Sequence, residues 1–128
     1  MKIKSVNDKG VNAIGTSYQG TIDATKNELM LVLGQPIERY KDLDRDGKVC
    51  FEWIIKLDNG NVATVYDWKL EYVIDDITEY QWHIGCKKSD FVEFKKSLEA
   101  SITYELAKRF RGAKWVIELL FVMIAKKR

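Results

Sequence analysis

Lys108-Arg109-Phe110-Arg111, with Lys114 beyond, is the segment of this chain best suited to hold a ligand. Guanidinium forks grip phosphate oxygens in pairs and stack on heterocyclic bases, which a hydrated ammonium does less well. Arg109 is the first choice for such a grip and Arg111 the second, with Lys108 adding charge beside them. The competing account is electrostatic, because cations are favoured at the C-terminal end of a helix whatever they bind. Pairing of two chains through a two-fold axis would double the cluster.

Other residues could do chemistry, but fewer of them converge. Trp82-His83-Ile84-Gly85 holds the single histidine. On a strand Trp82 and Ile84 share one face, and His83 and Gly85 the other. His83 stands either as a hydrogen-bonded structural residue or as a pocket wall, where Gly85 permits close approach. One histidine excludes an ordinary multi-histidine zinc site. Asp42-Leu43-Asp44-Arg45-Asp46-Gly47 imitates the start of a calcium loop, but position 12 is Trp53 and Glu52 comes one residue early, so a solvated turn is the reading. Glu52 and Asp67, placed opposite one another by the hairpin described below, are too close for a glycosidase pair. Lys48, Lys69 or an arginine from elsewhere is expected to neutralise them. Cys50 and Cys86 read as reduced, buried thiols.

These residues need elements to position them. Phe51–Trp68, FEWIIKLDNGNVATVYDW, is two β-rich runs meeting at Asn59-Gly60. A type I′ turn there predicts Leu57 opposite Val62, Ile55 opposite Thr64, Trp53 opposite Tyr66 and Phe51 opposite Trp68. That register predicts an aromatic ladder on the core face, with Ile54 against Val65 and Glu52 against Asp67 on the other. Thr25-Lys26-Asn27-Glu28 is a capping box opening a short helix over 25–33, which Gly34 ends and Pro36 keeps from resuming. Residues 1–10 read as an edge or mobile segment, Gly10–Ile22 as a strand broken near Gly15 and Gly20, and Ile37–Lys48 as a polar loop. Leu70, Tyr72 and Ile74 predict a third strand, and Gln81–Cys86 another. Ser89 or Asp90 caps the next helix, whose apolar stripe is Phe91, Phe94, Leu98, Ile102, Leu106 and Phe110. After Gly112 a last helix, 113–127, is apolar on nearly every side from Trp115 to Ile124. One small sheet cannot bury all of that surface, which predicts oligomerisation.

The whole is therefore read as one α+β domain over 1–128: an N-terminal antiparallel sheet with one short helix over 1–86, then a C-terminal helical pair over 87–128 that mediates oligomerisation. With 128 residues, 46% hydrophobic and 31% charged, the chain can bury a core without staples. Residues 87–128 hold eleven Lys/Arg against five Asp/Glu, or +6, which leaves −4 for residues 1–86 of the net +2. The basic part favours an anionic partner, while the small total does not call for DNA or RNA. MKIKSVNDKG has no apolar core of a signal, and the eleven residues from Trp115 to Ala125 are interrupted by Glu118 and too short to span a bilayer. A cytoplasmic protein with no membrane partner is the expectation.

GTSYQGTIDAT (15–25), LGQP (33–36), GKVCFEW (47–53), DNGNVATVYDW (58–68) and WHIG (82–85) resemble, in order, a family of small phage and prophage proteins. With two appended helices the chain resembles the first-described Thoeris anti-defence family. The resemblance implies an N-terminal sheet, C-terminal helices and a homo-dimer or larger homo-oligomer. It implies a sponge that binds a cyclic ADP-ribose isomer in the host cytosol without cleaving it; some members also hold cyclic oligonucleotides at a separate, assembly-dependent site. Arg109 is the residue matched to a family-like helix arginine.

On this reading the protein is no enzyme and needs no cofactor or metal. Arg109 and Arg111 grip the phosphates, and Trp82 or Phe91 stacks on the base. His83, Tyr104 and Lys108 are further candidates on chemical grounds. Two rival readings differ in class. A protein-binding inhibitor module would dock on a host protein, and a hydrolase using Glu52, Asp67 and a metal would consume its nucleotide.

Overall fold

The computed structural model describes residues 1–39, 48–69, 73–109 and 121–126. Its elements are β1 (Ile3–Val6), β2 (Ser17–Ala24), α1 (Lys26–Leu33), β3 (Ile37–Glu38), β4 (Phe51–Leu57), β5 (Val62–Tyr66), β6 (Tyr80–Cys86) and α2 (Phe91–Arg109), with a 3₁₀ turn at Lys88–Asp90. Residues 121–126 are helical as well. The strands pair antiparallel in the order β1-β4-β5-β6-β2, and β3 adds to β4. The architecture is α+β.

The capping box forms as the sequence predicts. Thr25 Oγ1 accepts from the Glu28 amide at 3.0 Å, and Glu28 Oε1 accepts from the Thr25 amide at 2.8 Å. Gly34 closes α1, its amide donating to the Met30 carbonyl at 3.0 Å. The apolar stripe of α2 is also as expected. Phe94, Leu98 and Ile102 are buried, with Phe91 and Leu106 half-buried beside them. Asp90 does not act as a simple helix cap. Its two oxygens accept from the side-chain amides of Asn59 and Asn61, at 3.0 and 2.8 Å, and so tie the β4–β5 turn to the start of α2.

Both helices cover one face of the sheet. Leu29 and Leu33 of α1 and the α2 stripe pack on Ile22, Phe51, Trp53, Ile55, Leu57, Val65, Trp82 and Ile84.

The hairpin register differs from the expected one by a residue. Trp53 is opposite Val65, Ile55 opposite Ala63, and Glu52 opposite Tyr66. The loop has three residues, not two: the Leu57 amide donates to the Asn61 carbonyl at 2.9 Å, and the Gly60 amide to the Leu57 carbonyl at 3.0 Å. Gly60 takes φ +86°, whereas Asn59 is not among the residues with positive φ. A type I′ turn needs positive φ at both central residues, so this is the three-residue loop closed by a glycine bulge.

A one-residue slip moves side chains to the opposite face. Phe51 and Trp53 stay in the core, but Tyr66 and Trp68 are on the outer face with Glu52, and Asp67 is fully buried on the core side. The predicted aromatic ladder and the Glu52–Asp67 pair are thereby corrected. Arg39 holds Glu52, with Nη2 2.8 Å and Nε 3.1 Å from Oε1.

Two further expectations change. Ile37–Glu38 is a short strand where a loop was expected. Ile74 is buried but lies in non-strand backbone, as do the other described residues from 73 to 79. The calcium-like segment 42–47, Leu70, Tyr72, Phe110–Leu120 (with Arg111, Gly112 and Lys114), Lys127 and Arg128 lie outside the described residues. No helix among the described residues is long and apolar enough to cross a membrane.

Candidate functional site

Arg109 is the last residue of α2 and lines a cleft of about 610 Å³ with Asn27, Met30, Leu31, Gly34 and Gln35. The cleft lies where the end of α2 meets α1 and the turn after it. Its walls offer a guanidinium, two side-chain amides and two apolar side chains. That volume falls within the range of ordinary small-molecule sites. Leu31 also lines a neighbouring cleft of about 340 Å³ that includes Tyr104, so the two run on along the α1–α2 seam. Tyr104 is 62% exposed, and the Lys108 ammonium stands 6.0 Å from its ring centre. Arg109, Tyr104 and Lys108 therefore belong to one end of the helical side.

The remaining candidates lie elsewhere. Phe91 begins α2, so it is about 27 Å from Arg109 along the helix axis. Its ring lies over Gly20, where a Cβ would come within 2.5 Å of it. Trp82 has no exposed surface; its indole N–H donates to the Ala24 carbonyl at 3.0 Å and its ring meets Trp53 and Tyr80 edge-on, each at 5.4 Å. It is a core residue rather than a stacking surface, because no face of the ring is left for a ligand. Arg111 lies outside the described residues.

His83 faces away from the core, as strand alternation requires, and is the hub of a ring cluster. Trp68 stacks on it at 5.9 Å and 23°, Tyr18 is tilted against it at 4.6 Å, and Tyr66 meets it edge-on at 5.5 Å. Tyr66 also meets Trp68 edge-on at 6.1 Å. Tyr18 is 56% exposed and Trp68 37%. Beside the rings is a cleft of about 250 Å³ lined by Thr16, Tyr18, Glu52, Thr64, Tyr66 and Gly85, among others. Gly85 pairs with Tyr18 on one side and Thr64 on the other, and a Cβ there would come within 2.6 Å of the Thr64 hydroxyl. Only glycine leaves this floor open.

Partial burial holds the His83 imidazole below its usual value of 6.5, and the Tyr66 phenol is raised, first by burial and then by the charge of Glu52. The folded protein thus binds fewer protons at His83 than the unfolded chain just below pH 6.5. Stability should be fullest above that pH and fall as the pH drops through the lowered value. Thermal melts on either side of pH 6.5 should show this slope, and His83→Phe should flatten it. An identical slope in the variant would assign the acid sensitivity elsewhere.

Tyr18, Tyr66, Trp68 and Arg39 were not among the sequence candidates. Tyr66 and Trp68 share a face by strand alternation, so a correct hairpin register would have brought them out with His83. No protein-family model, curated protein or solved structure matches the chain.

Proposed function

We propose that this protein binds a small cyclic nucleotide, of the cyclic ADP-ribose type, and sequesters it without cleaving it. The observation that carries this reading is Arg109 lining a cleft of about 610 Å³ together with Asn27 and Gln35. Such a ligand needs a fork for its diphosphate, amide groups for ribose and base edges, and apolar surface for the base. The cleft contains each kind of group. The ordered sequence resemblance from Gly15 to Gly85 supports a phage anti-defence role in the host cytosol. Phe121, Val122 and Met123 are about half exposed on helical backbone, an apolar surface that a second copy of the chain would cover. A homo-dimer or larger homo-oligomer is part of the proposal.

Isothermal titration of the whole protein with cyclic ADP-ribose isomers tests this. Binding by the wild type is expected, with the ligand recovered intact on heating. Arg109→Ala should weaken it roughly 10- to 150-fold, the equivalent of a charge-assisted pair worth about 1.5–3 kcal/mol. No binding by the wild type, or equal binding by the variant, would overturn the reading.

A further inference from the structure

The turn that joins β4 to β5 holds a reactive dipeptide, and we infer that Asn59 is a latent modification site. Its conversion to aspartate or isoaspartate, held back in the folded protein by Asp90, unclips the turn from the start of α2. Asn59 is the one asparagine of the chain that precedes a glycine; Asn7, Asn12, Asn27 and Asn61 precede bulkier residues. Asn59 and Gly60 are both exposed to water. Glycine has no side chain to hinder its nitrogen and reaches backbone conformations closed to other residues, so an asparagine cyclises most readily before it.

The reaction needs only water. The Gly60 backbone nitrogen, giving its proton to solvent, forms a bond to the side-chain carbonyl carbon of Asn59. The bond from that carbon to the side-chain nitrogen breaks, and the nitrogen takes up a proton and leaves as ammonia. Water then opens the five-membered imide at one of its two carbonyls. The product at position 59 is an aspartate, or its isomer in which the main chain runs through the side chain. Nothing is oxidised or reduced.

In the folded protein each group in that step is engaged. The Gly60 amide donates to the Leu57 carbonyl at 3.0 Å. Asn59 Oδ1 accepts from the Asn61 amide at 2.9 Å, which fixes the way the side-chain amide points, because a backbone N–H can only donate. Nδ2 is thereby turned to Asp90 Oδ1, 3.0 Å away. Asp90 is 4% exposed, and its Oδ2 accepts from Asn61 Nδ2 at 2.8 Å, so the carboxylate is itself held on both oxygens. Cyclisation therefore waits for the turn to open from α2. The product does not restore the clip. A carboxylate at position 59 has no proton to donate to Asp90 and repels it, and the isomer lengthens a loop whose bulge depends on Gly60 at φ +86°. The site shares no residue with the Arg109 cleft, so it stands apart from the function proposed above.

Peptide mapping by mass spectrometry during incubation at neutral pH is the test, with the folded wild type, the wild type in denaturing urea and Asp90→Asn followed in parallel. Conversion at Asn59 should be at least about tenfold slower in the folded wild type than in urea, since attack occurs only from the opened turn. Asp90→Asn keeps the size of the side chain but offers one acceptor oxygen in place of two. It should speed conversion in the folded protein about fivefold or more, by loss of one hydrogen bond. Asn61→Ala removes the second arm of the clip without altering Asn59 or Asp90, and should act in the same direction. It decides the matter if circular dichroism shows Asp90→Asn unfolded. Asn59→Asp, which carries the charge of the product, should melt below Asn59→Ser, which lacks both the amide and the charge. Equal conversion in folded and urea-unfolded wild type, unchanged conversion in the folded clip variants, or Asn59→Asp melting at or above Asn59→Ser would each overturn the inference.

Discussion

Trp82→Ala should leave the protein largely unfolded at temperatures where the wild type is fully folded. The side chain is completely buried among Trp53, Tyr80 and the core residues of β2, and its N–H satisfies the Ala24 carbonyl. Truncating a buried tryptophan costs about 3–5 kcal/mol, and the orphaned carbonyl adds about 1–3 more. Set against a total stability of about 5–15 kcal/mol for a domain, that is most of the margin. Urea unfolding followed by far-UV circular dichroism measures it, and Tyr18→Ala serves as a control that should stay within about 0.5 kcal/mol of wild type. A folded Trp82→Ala with an unchanged midpoint would return Trp82 to the list of ligand-facing residues.

The second large effect is expected at Asp67. Its carboxylate is fully buried, and Oδ1 accepts from the amides of Cys50 and Phe51 at 2.9 and 2.8 Å, where β4 begins. Oδ2 has no hydrogen-bond partner among the described residues. Removing the side chain strips both amides of that acceptor, at a cost of about 2–5 kcal/mol in all. Asp67→Asn keeps an oxygen in the same place and should retain most of the stability, so the pair separates the hydrogen bonds from the rest of the group. The consequence extends to the outer face, because Asp67 lies between Tyr66 and Trp68. The Trp68 amide is held by the Tyr80 hydroxyl at 3.1 Å, and the next amide, Lys69, donates to the Lys48 carbonyl at 2.7 Å. Asp67→Ala should therefore also disturb the Trp68–His83 stack, visible as a change in Trp68 fluorescence relative to Asp67→Asn. Equal melting midpoints for the alanine and asparagine variants would contradict this account.

Much of the fold was legible from local rules, and the hairpin misreading has one physical source. The capping box at Thr25–Glu28, the stop at Gly34 and the α2 stripe depend on residues within a few positions of one another, so spacing alone reveals them. The hairpin turn is tied to Asp90, about thirty positions away, whose carboxylate binds the side chains of Asn59 and Asn61. Asn-Gly favours the two-residue turn locally, but the tertiary contact accompanies the three-residue loop with its bulge at Gly60. That single slip hid the candidate site on the outer face. It turned Tyr66 and Trp68 into predicted core residues and Asp67 into a predicted neighbour of Glu52. Arg39 escaped notice for a related reason: the two-residue strand β3 that brings it to Glu52 is too short to leave a periodic pattern. Arg109 could be singled out as a candidate because a clustered charge at a helix end needs no register to be seen.

The Arg109 cleft and the outer-face cleft lie on opposite sides of the sheet. The proposed nucleotide binding belongs to the Arg109 cleft. Native mass spectrometry of the protein mixed with a cyclic ADP-ribose isomer tests it most directly, because stoichiometry and bound mass are read together. A homo-oligomer carrying the unaltered mass of the ligand is expected, with occupancy lost in Arg109→Ala. A wild-type spectrum showing only ligand-free protein at saturating ligand, or the masses of cleavage products, would contradict it.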